Sequence, residues 1–365
     1  MGAVSGSGLS RRKDVILVGI ADVGMVGSVG DLARGRQVFR LVALGLTVLA
    51  SSILLAAQEP VEPLTPDCSA RYLNQKTTAG PYVFKAYQNK RNGNACLEVE
   101  EAGHEGKVIG RIATKVTRKD TSDVVFRRTI DSFGQYKLGQ AASPKDNIPQ
   151  IENGADLTGR GRPDMIVTNW SGGARCCSVH LVFELEPALK LVARIDDGDG
   201  DLAHFVDMDG HKRYYYVGND WTFAYWSATF IDSLAPAVVL RFVDDGQGGS
   251  YHLAIDKMRR PVPTPDEWSK AVSEARDAFA EEDPAGEGIG SALWSNMLNL
   301  IYSGHSDLAW KLFDETWPAE KTGKEKYLSS FCSQLKMSPY WPDLSKTIPD
   351  APPSCASAKA EPQEK

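Results

Sequence analysis

Residues 156–184 read DLTGRGRPDMIVTNWSGGARCCSVHLVFE, and this stretch decides the fold. An acidic loop punctuated by Gly159 and Gly161 runs from Asp156 to Asp164. It feeds the apolar run Met165–Trp170, rich in β-branched residues, which Gly172 and Gly173 interrupt. A second apolar run, Val179–Leu185, follows. Short β-branched or aromatic runs bounded by Gly, Asp and Asn are strand signals, and the stretch shows no 3.6-residue period.

The same grammar extends in both directions. YVFKAY (82–87), CLEVEE (96–101), KVIGRIATKV (107–116), DVVFRRTI (123–130), LKLVARI (189–195), RYYYVG (213–218), TFAYWSATFI (222–231) and AVVLRFV (237–243) all read as strands. Many short strands without intervening helices predict an antiparallel β-domain over residues 68–260, either propeller-blade-like or sandwich-like. The pattern changes at Pro261. Thr264-Pro265-Asp266-Glu267 is a capping box with proline at the first helical position. Trp268, Val272, Ala275 and Phe279 then recur at three- and four-residue spacing, which gives one apolar helical face. Further helical runs predict a small helical domain over 262–345, followed by a disordered tail over 346–365. The fold class is therefore α+β. Gly304, Ala309 and Phe313 match the small-residue and aromatic spacing of a tetratricopeptide helix pair, and a single such unit predicts a helix hairpin packed on the β-domain.

The loop Asp156-Leu157-Thr158-Gly159-Arg160-Gly161-Arg162-Pro163-Asp164, with its following strand, resembles the aspartate-glycine loop of VCBS and FG-GAP repeats, the units of integrin-type propellers. The wider region, about 80–260, resembles uncharacterised bacterial exported proteins related to that family. The resemblance implies a blade-like fold and export, with oxygen ligands at the first, third, fifth and ninth loop positions holding calcium. Asp156, Thr158 and Asp164 are then the candidate ligands, although Arg160 stands at the fifth position, where the family has a carboxylate. A second, weaker copy begins at Asp207 and Asp209, with His211, Lys212 and Tyr215 replacing expected residues. Both loops also read simply as turns. Between them Asp196, Asp197, Asp199 and Asp201 alternate with Gly198 and Gly200, as a solvated turn or a cation site.

Other features fix the compartment. Arg34, Arg36 and Arg40 precede an uncharged apolar run, Leu41–Ala57, and Glu59, Pro60 and Pro63 follow at once. Positive flank, apolar run, small residues and polar restart make a secretory signal over 34–57. A retained N-terminal anchor stays open, because the run is at the short edge of what spans a bilayer. Residues 1–33 read as an upstream extension, with Met25 an alternative start, and 58–67 as a linker. The six cysteines, Cys68, Cys96, Cys176, Cys177, Cys332 and Cys355, suit disulfides in an exported chain. Proximity favours Cys68–Cys96 and Cys332–Cys355. For Cys176 and Cys177, with His180 nearby, a disulfide, buried thiols and a metal all stay open.

The chain is mildly acidic, with formal net charge -6 and no concentrated basic run, so nucleic acid is not an expected partner. The expected partner is a protein or a glycan, and the membrane is engaged only through the export segment. Trp221, Phe223, Tyr225 and Trp226 read as core or as a sugar-stacking surface; strand alternation puts the first three on one face. No Gly-x-Ser-x-Gly, His-Glu-x-x-His or phosphate-binding loop is present, so no catalytic residue stands out. The sequence thus reads as an exported, non-catalytic binding or structural protein of the periplasm or cell exterior. An exported hydrolase of polysaccharide or peptide and a calcium-stabilised adhesion module are the alternatives.

Overall fold

The computed structural model describes residues 68–89, 94–114, 135–173, 176–198, 202–246, 248–280 and 289–360. The export segment, the linker, the run 123–130, Asp199 and Asp201 lie outside the described residues, as do the side chains of Cys176 and Cys177. Among the described residues, three four-stranded antiparallel sheets follow one another along the chain, each a meander in chain order. The first holds β1 (Leu73–Ala79), β2 (Tyr82–Asn89), β3 (Asn94–Glu101) and β4 (Val108–Thr114). The second holds β5 (Gln135–Leu138), β6 (Asp164–Gly173), β7 (Cys176–Glu184) and β8 (Lys190–Gly198). The third holds β9 (His204–Asp207), β10 (Tyr214–Asn219), β11 (Ala237–Val243) and β12 (Ser250–Leu253). The expected α+β class, mostly antiparallel β with a helical C-terminal part, is the class observed.

The middle sheet is buried on both faces, which is why its strands read as nearly continuous apolar runs. Along β7, Val179, Leu181 and Phe183 pack with Phe84, Leu97 and Val99 of the first sheet. Val182 points the other way, into the core shared by the third sheet and the helices. His180 lies on that second face too. It is buried, its Nδ1 is 3.0 Å from Thr168 Oγ1, and burial pushes it down to about 4, so it sits in the core as neutral imidazole.

The helical part follows β12: α1 (Ile255–Met258), α2 (Pro265–Asp277), α3 (Ser291–Tyr302), α4 (Ser306–Thr316), α5 (Lys324–Leu335), α6 (Trp341–Leu344) and α7 (Pro353–Ser357). The expected capping box opens α2: Glu267 N donates to Thr264 Oγ1, and Thr264 N donates to Glu267 Oε2 at 2.7 Å. α3 and α4 form the expected hairpin, with Ala309 and Phe313 fully buried. Its turn passes through Gly304 at φ +82°, a left-handed conformation that glycine adopts without strain. The described residues fall in one compact unit, and helices and third sheet share a single apolar core. No helix among the described residues is long and apolar enough to cross a membrane.

Three expectations are revised. The run 222–231 is not a strand but a series of turns, because Tyr225 and Ser227 take positive φ of 65° and 52° and break the alternation. Trp221, Phe223 and Tyr225 therefore share no face: Phe223 and Trp226 are 1% and 3% exposed in the core, whereas Tyr225 is 55% exposed. Trp221 stacks on Phe230 with ring centroids 5.5 Å apart. The tail is also ordered as far as residue 360. A disulfide joins Cys332 of α5 to Cys355 of α7, and Lys336 Nζ donates to the carbonyls of Cys355 and Ala358, both at 2.7 Å. A second disulfide, Cys68–Cys96, ties the start of the first sheet to β3. Both are the pairings that sequence proximity favours.

Candidate functional site

The Asp156 loop closes on itself. Asp156 Oδ1 accepts from Arg160 N at 3.0 Å, and its Oδ2 accepts from Gly161 N at 2.7 Å. Asp164 Oδ2 accepts from Leu157 N, Thr158 N and Thr158 Oγ1 at 2.9, 3.0 and 3.1 Å. Thr158 therefore bridges the two carboxylates as a donor, its hydroxyl also lying 3.4 Å from Asp156 Oδ1. Burial pushes Asp164 up to about 6; the Thr158 and Leu157 donors pull it down, and the charge of Asp156 adds to the rise.

This set falls short of a calcium cage. Calcium takes six to eight oxygens, whereas Asp156, Thr158 and Asp164 offer two carboxylates and one hydroxyl, of which both Asp156 oxygens and Asp164 Oδ2 are engaged with the loop's own donors and only Asp164 Oδ1 is buried without a partner. Arg160 does not enter the ring of ligands. It turns outward to Glu184, with Nη2 2.5 Å from Oε2, and lies over the Phe242 ring at 4.9 Å. Glu184, 4% exposed, also accepts from Arg162 Nη1 at 2.8 Å. One desolvated carboxylate thus holds two guanidinium groups in place.

The second loop, between β9 and β10, is closed in the same way. Asp207 Oδ1 accepts from the backbone N–H groups of Asp209, Gly210 and His211, and its Oδ2 accepts from Lys212 N at 2.8 Å. Partial burial raises this carboxyl, but the four N–H donors outweigh it and hold it below its usual value. Asp209 pairs with the Lys257 ammonium and accepts from Tyr215 OH at 2.8 Å. Those bonds, Lys257 foremost, keep Asp209 below its usual value. A side-chain ammonium from α1 therefore stands where a bound cation would. Among the described residues no group of three or more His, Cys, Asp or Glu side chains is arranged to hold a metal.

Sequence reading missed a third loop of this kind. Asp244 and Asp245, between β11 and β12, accept from Gly246, Gly248 and Gly249 N at 2.8, 3.0 and 2.9 Å. Its signal was present as Asp-Asp-Gly-Gln-Gly-Gly, but it matches no metal-ligand spacing. The first and third of these loops meet. Arg160 Nη1 donates to Gly248 O at 3.2 Å, and Tyr251 OH donates to Leu157 O at 3.2 Å. Where they meet lies a cavity of about 410 Å³ lined by Thr158, Gly159, Arg160, Arg213, Tyr214, Arg241, Phe242, Val243 and Asp244. Arg160 and Arg213 come from two different Asp loops and Arg241 from β11, so no local motif announces the cluster.

A smaller cavity of about 180 Å³ is lined by Asp196, Asp197, Asn219, Asp220, Trp221 and Tyr340, among others. Asp196 pairs with Arg194, and Asp197 is buried against Tyr216, whose phenol is pushed up by burial and by the Asp197 charge. Gly218 makes room there, since a side chain at that position would meet Asp197 Oδ1 at 2.5 Å. Asp220 is saturated: Oδ1 accepts from Thr222 N and Oγ1, and Oδ2 accepts from Tyr302 OH and Ser338 Oγ at 2.5 Å each. Asp220 is therefore poorly placed for general acid–base chemistry, because both of its oxygens are committed to structural bonds.

Comparison of the chain with protein-family models, with curated proteins and with solved structures found no match.

Proposed function

We propose that this is an exported, non-catalytic binding protein of the periplasm or cell exterior, with its ligand contacts at the loop end of the second and third sheets. The observation that carries the reading is the convergence of three Asp-Gly loops, each closed by its own backbone, on one arginine-lined cavity. Loops positioned by a rigid scaffold are the usual place for binding residues. The two disulfides support an oxidising compartment, and the Leu41–Ala57 run supports the route to it. The VCBS-like text of the Asp156 loop agrees with such a scaffold without requiring calcium. The hydrolase reading is weaker because Asp220 is spoken for.

Export is tested by intact-mass analysis of the protein from fractionated cells after thiol alkylation. The expected product is extracytoplasmic, begins near residue 58, and takes no alkyl group at Cys68, Cys96, Cys332 or Cys355. A full-length cytoplasmic chain with those four thiols alkylated would overturn the proposal.

A further inference from the structure

We infer that Ser250 is a positioned nucleophile, with His252 as its base and Asp343 as the positioning residue behind it, that takes a short acyl group from an activated ester. This goes beyond the binding-protein reading above: it claims one transfer to the chain, not turnover. The three side chains form a chain of hydrogen bonds. Ser250 Oγ lies 2.9 Å from His252 Nε2, and His252 Nδ1 lies 2.9 Å from Asp343 Oδ2. Ser250 and His252 are next-but-one neighbours on β12 and share a face, whereas Asp343 comes from α6, so no local motif announces the set.

The direction of both hydrogen bonds follows from the carboxylate. Asp343 Oδ2 also accepts from Leu253 N at 3.1 Å, and its Oδ1 accepts from Lys346 Nζ at 2.9 Å. Partial burial raises this carboxyl, but the donors from Lys346, Leu253 and His252 outweigh it and hold it below its usual value. It is therefore ionised at neutral pH, and an ionised carboxylate only accepts. In the neutral imidazole of His252, Nδ1 must then carry the proton, which leaves the Nε2 lone pair to accept from the Ser250 hydroxyl. That is the arrangement in which an imidazole takes up the proton as the serine oxygen attacks. Ser250 is exposed, and water can serve a hydroxyl on an open sheet face, so its bond to His252 adds little to stability.

The surroundings select the acyl donor. The amides of Gly248 and Gly249, just before Ser250, both donate to Asp245 Oδ1, at 3.0 and 2.9 Å, and are not available to an oxyanion. Peptides and unactivated esters need such donors, whereas an aryl ester or thioester carries its own good leaving group. In the step, Ser250 Oγ bonds the acyl carbon, and the bond from that carbon to the leaving oxygen or sulfur breaks. The hydroxyl proton passes to His252 Nε2 and from there to the leaving group. Val243, 42% exposed, lies directly across from Ser250 on β11 and offers a short acyl chain apolar contact on the same face.

The test is incubation of the mature protein with para-nitrophenyl acetate, followed by peptide mapping and by the rate of acetylation at Ser250. One acetyl group at Ser250 is expected, at a rate that rises with pH as His252 loses its proton and then levels off. The charged groups around that imidazole are Asp343, Lys346 on the same carboxylate, and Arg241, which lies across from it on β11 and pairs with Asp256 at 2.9 Å. Ser250→Ala is expected to abolish the product and to keep the wild-type melting temperature. His252→Ala is expected to slow acetylation at Ser250 roughly 100-fold. His252→Gln, which keeps an amide against Asp343 but no base, is expected to slow it as much. Asp343→Asn is expected to slow it and to lower the midpoint of the pH profile, because the imidazolium loses its carboxylate. Acetylation confined to lysines, or an unchanged rate at Ser250 in folded His252→Gln, overturns the inference. An unchanged midpoint in Asp343→Asn overturns the role given to Asp343. Steady release of nitrophenolate beyond one equivalent, lost in Ser250→Ala, supports the nucleophile and overturns the non-catalytic reading.

Discussion

Asp220→Ala is expected to lower the unfolding free energy by about 4 kcal/mol, since two buried hydroxyls lose their acceptor at roughly 1–3 kcal/mol each and Thr222 loses its cap. The residue follows β10, and its carboxylate gathers Tyr302 from the end of α3 and Ser338 from the turn after α5. It therefore stitches the third sheet to two helices at one point. Burial and the Asp220 charge both push Tyr302 up, which keeps its phenol a donor across the working pH range. Denaturant unfolding of Asp220→Ala beside Tyr302→Phe checks this. Tyr302→Phe removes a single donor and should cost only about 1–2 kcal/mol. A loss below about 1 kcal/mol in Asp220→Ala would show that the carboxylate is not the stitch described.

Phe223→Ala should cost about 3–5 kcal/mol, the usual range for deleting a buried aromatic side chain. Its ring lies 5.6 Å from Trp294, 5.1 Å from Trp226 and 5.2 Å from Phe331, at the centre of the core joining sheet to helices. Tyr225→Ala, two residues away and exposed, should stay within about 0.5 kcal/mol of wild type. Thermal and denaturant unfolding of the two variants separates the packing pattern from strand alternation, which groups these residues on one face. Similar losses in both would favour alternation.

These two residues also mark where sequence reading stops. The strands were legible because a sheet buried on both faces writes itself as apolar runs such as VHLVFEL. The start of α2 was legible because a capping box is a local device, and the two disulfides because their partners are close in sequence. Residues 222–231 were misread because aromatic composition signals a strand, while the positive φ at Tyr225 and Ser227 leaves no trace in residue type. The tail was misread because its composition is that of a disordered segment, whereas one disulfide and Lys336 hold it. The arginine cavity was illegible for a different reason. Arg160 stood out only as a misfit at a calcium position, and Arg213 and Arg241 join it through tertiary structure alone. In hindsight, the misfit carried information: a guanidinium in that loop needs its own carboxylate, and Glu184 at the end of β7 supplies it.

The Asp-Gly loops are closed by the protein's own donors, backbone N–H groups at Asp156, Asp164 and Asp207 and the Lys257 ammonium at Asp209. Differential scanning calorimetry of the mature protein in millimolar calcium and in excess chelator tests this closure most directly. A site filled at 100 times its Kd adds about 2.7 kcal/mol, which shifts the melting temperature of a chain this size by several degrees. Melting temperatures are expected to agree within about 1 °C in the two conditions. A rise of several degrees with calcium, abolished in Asp156→Asn, would contradict this closure.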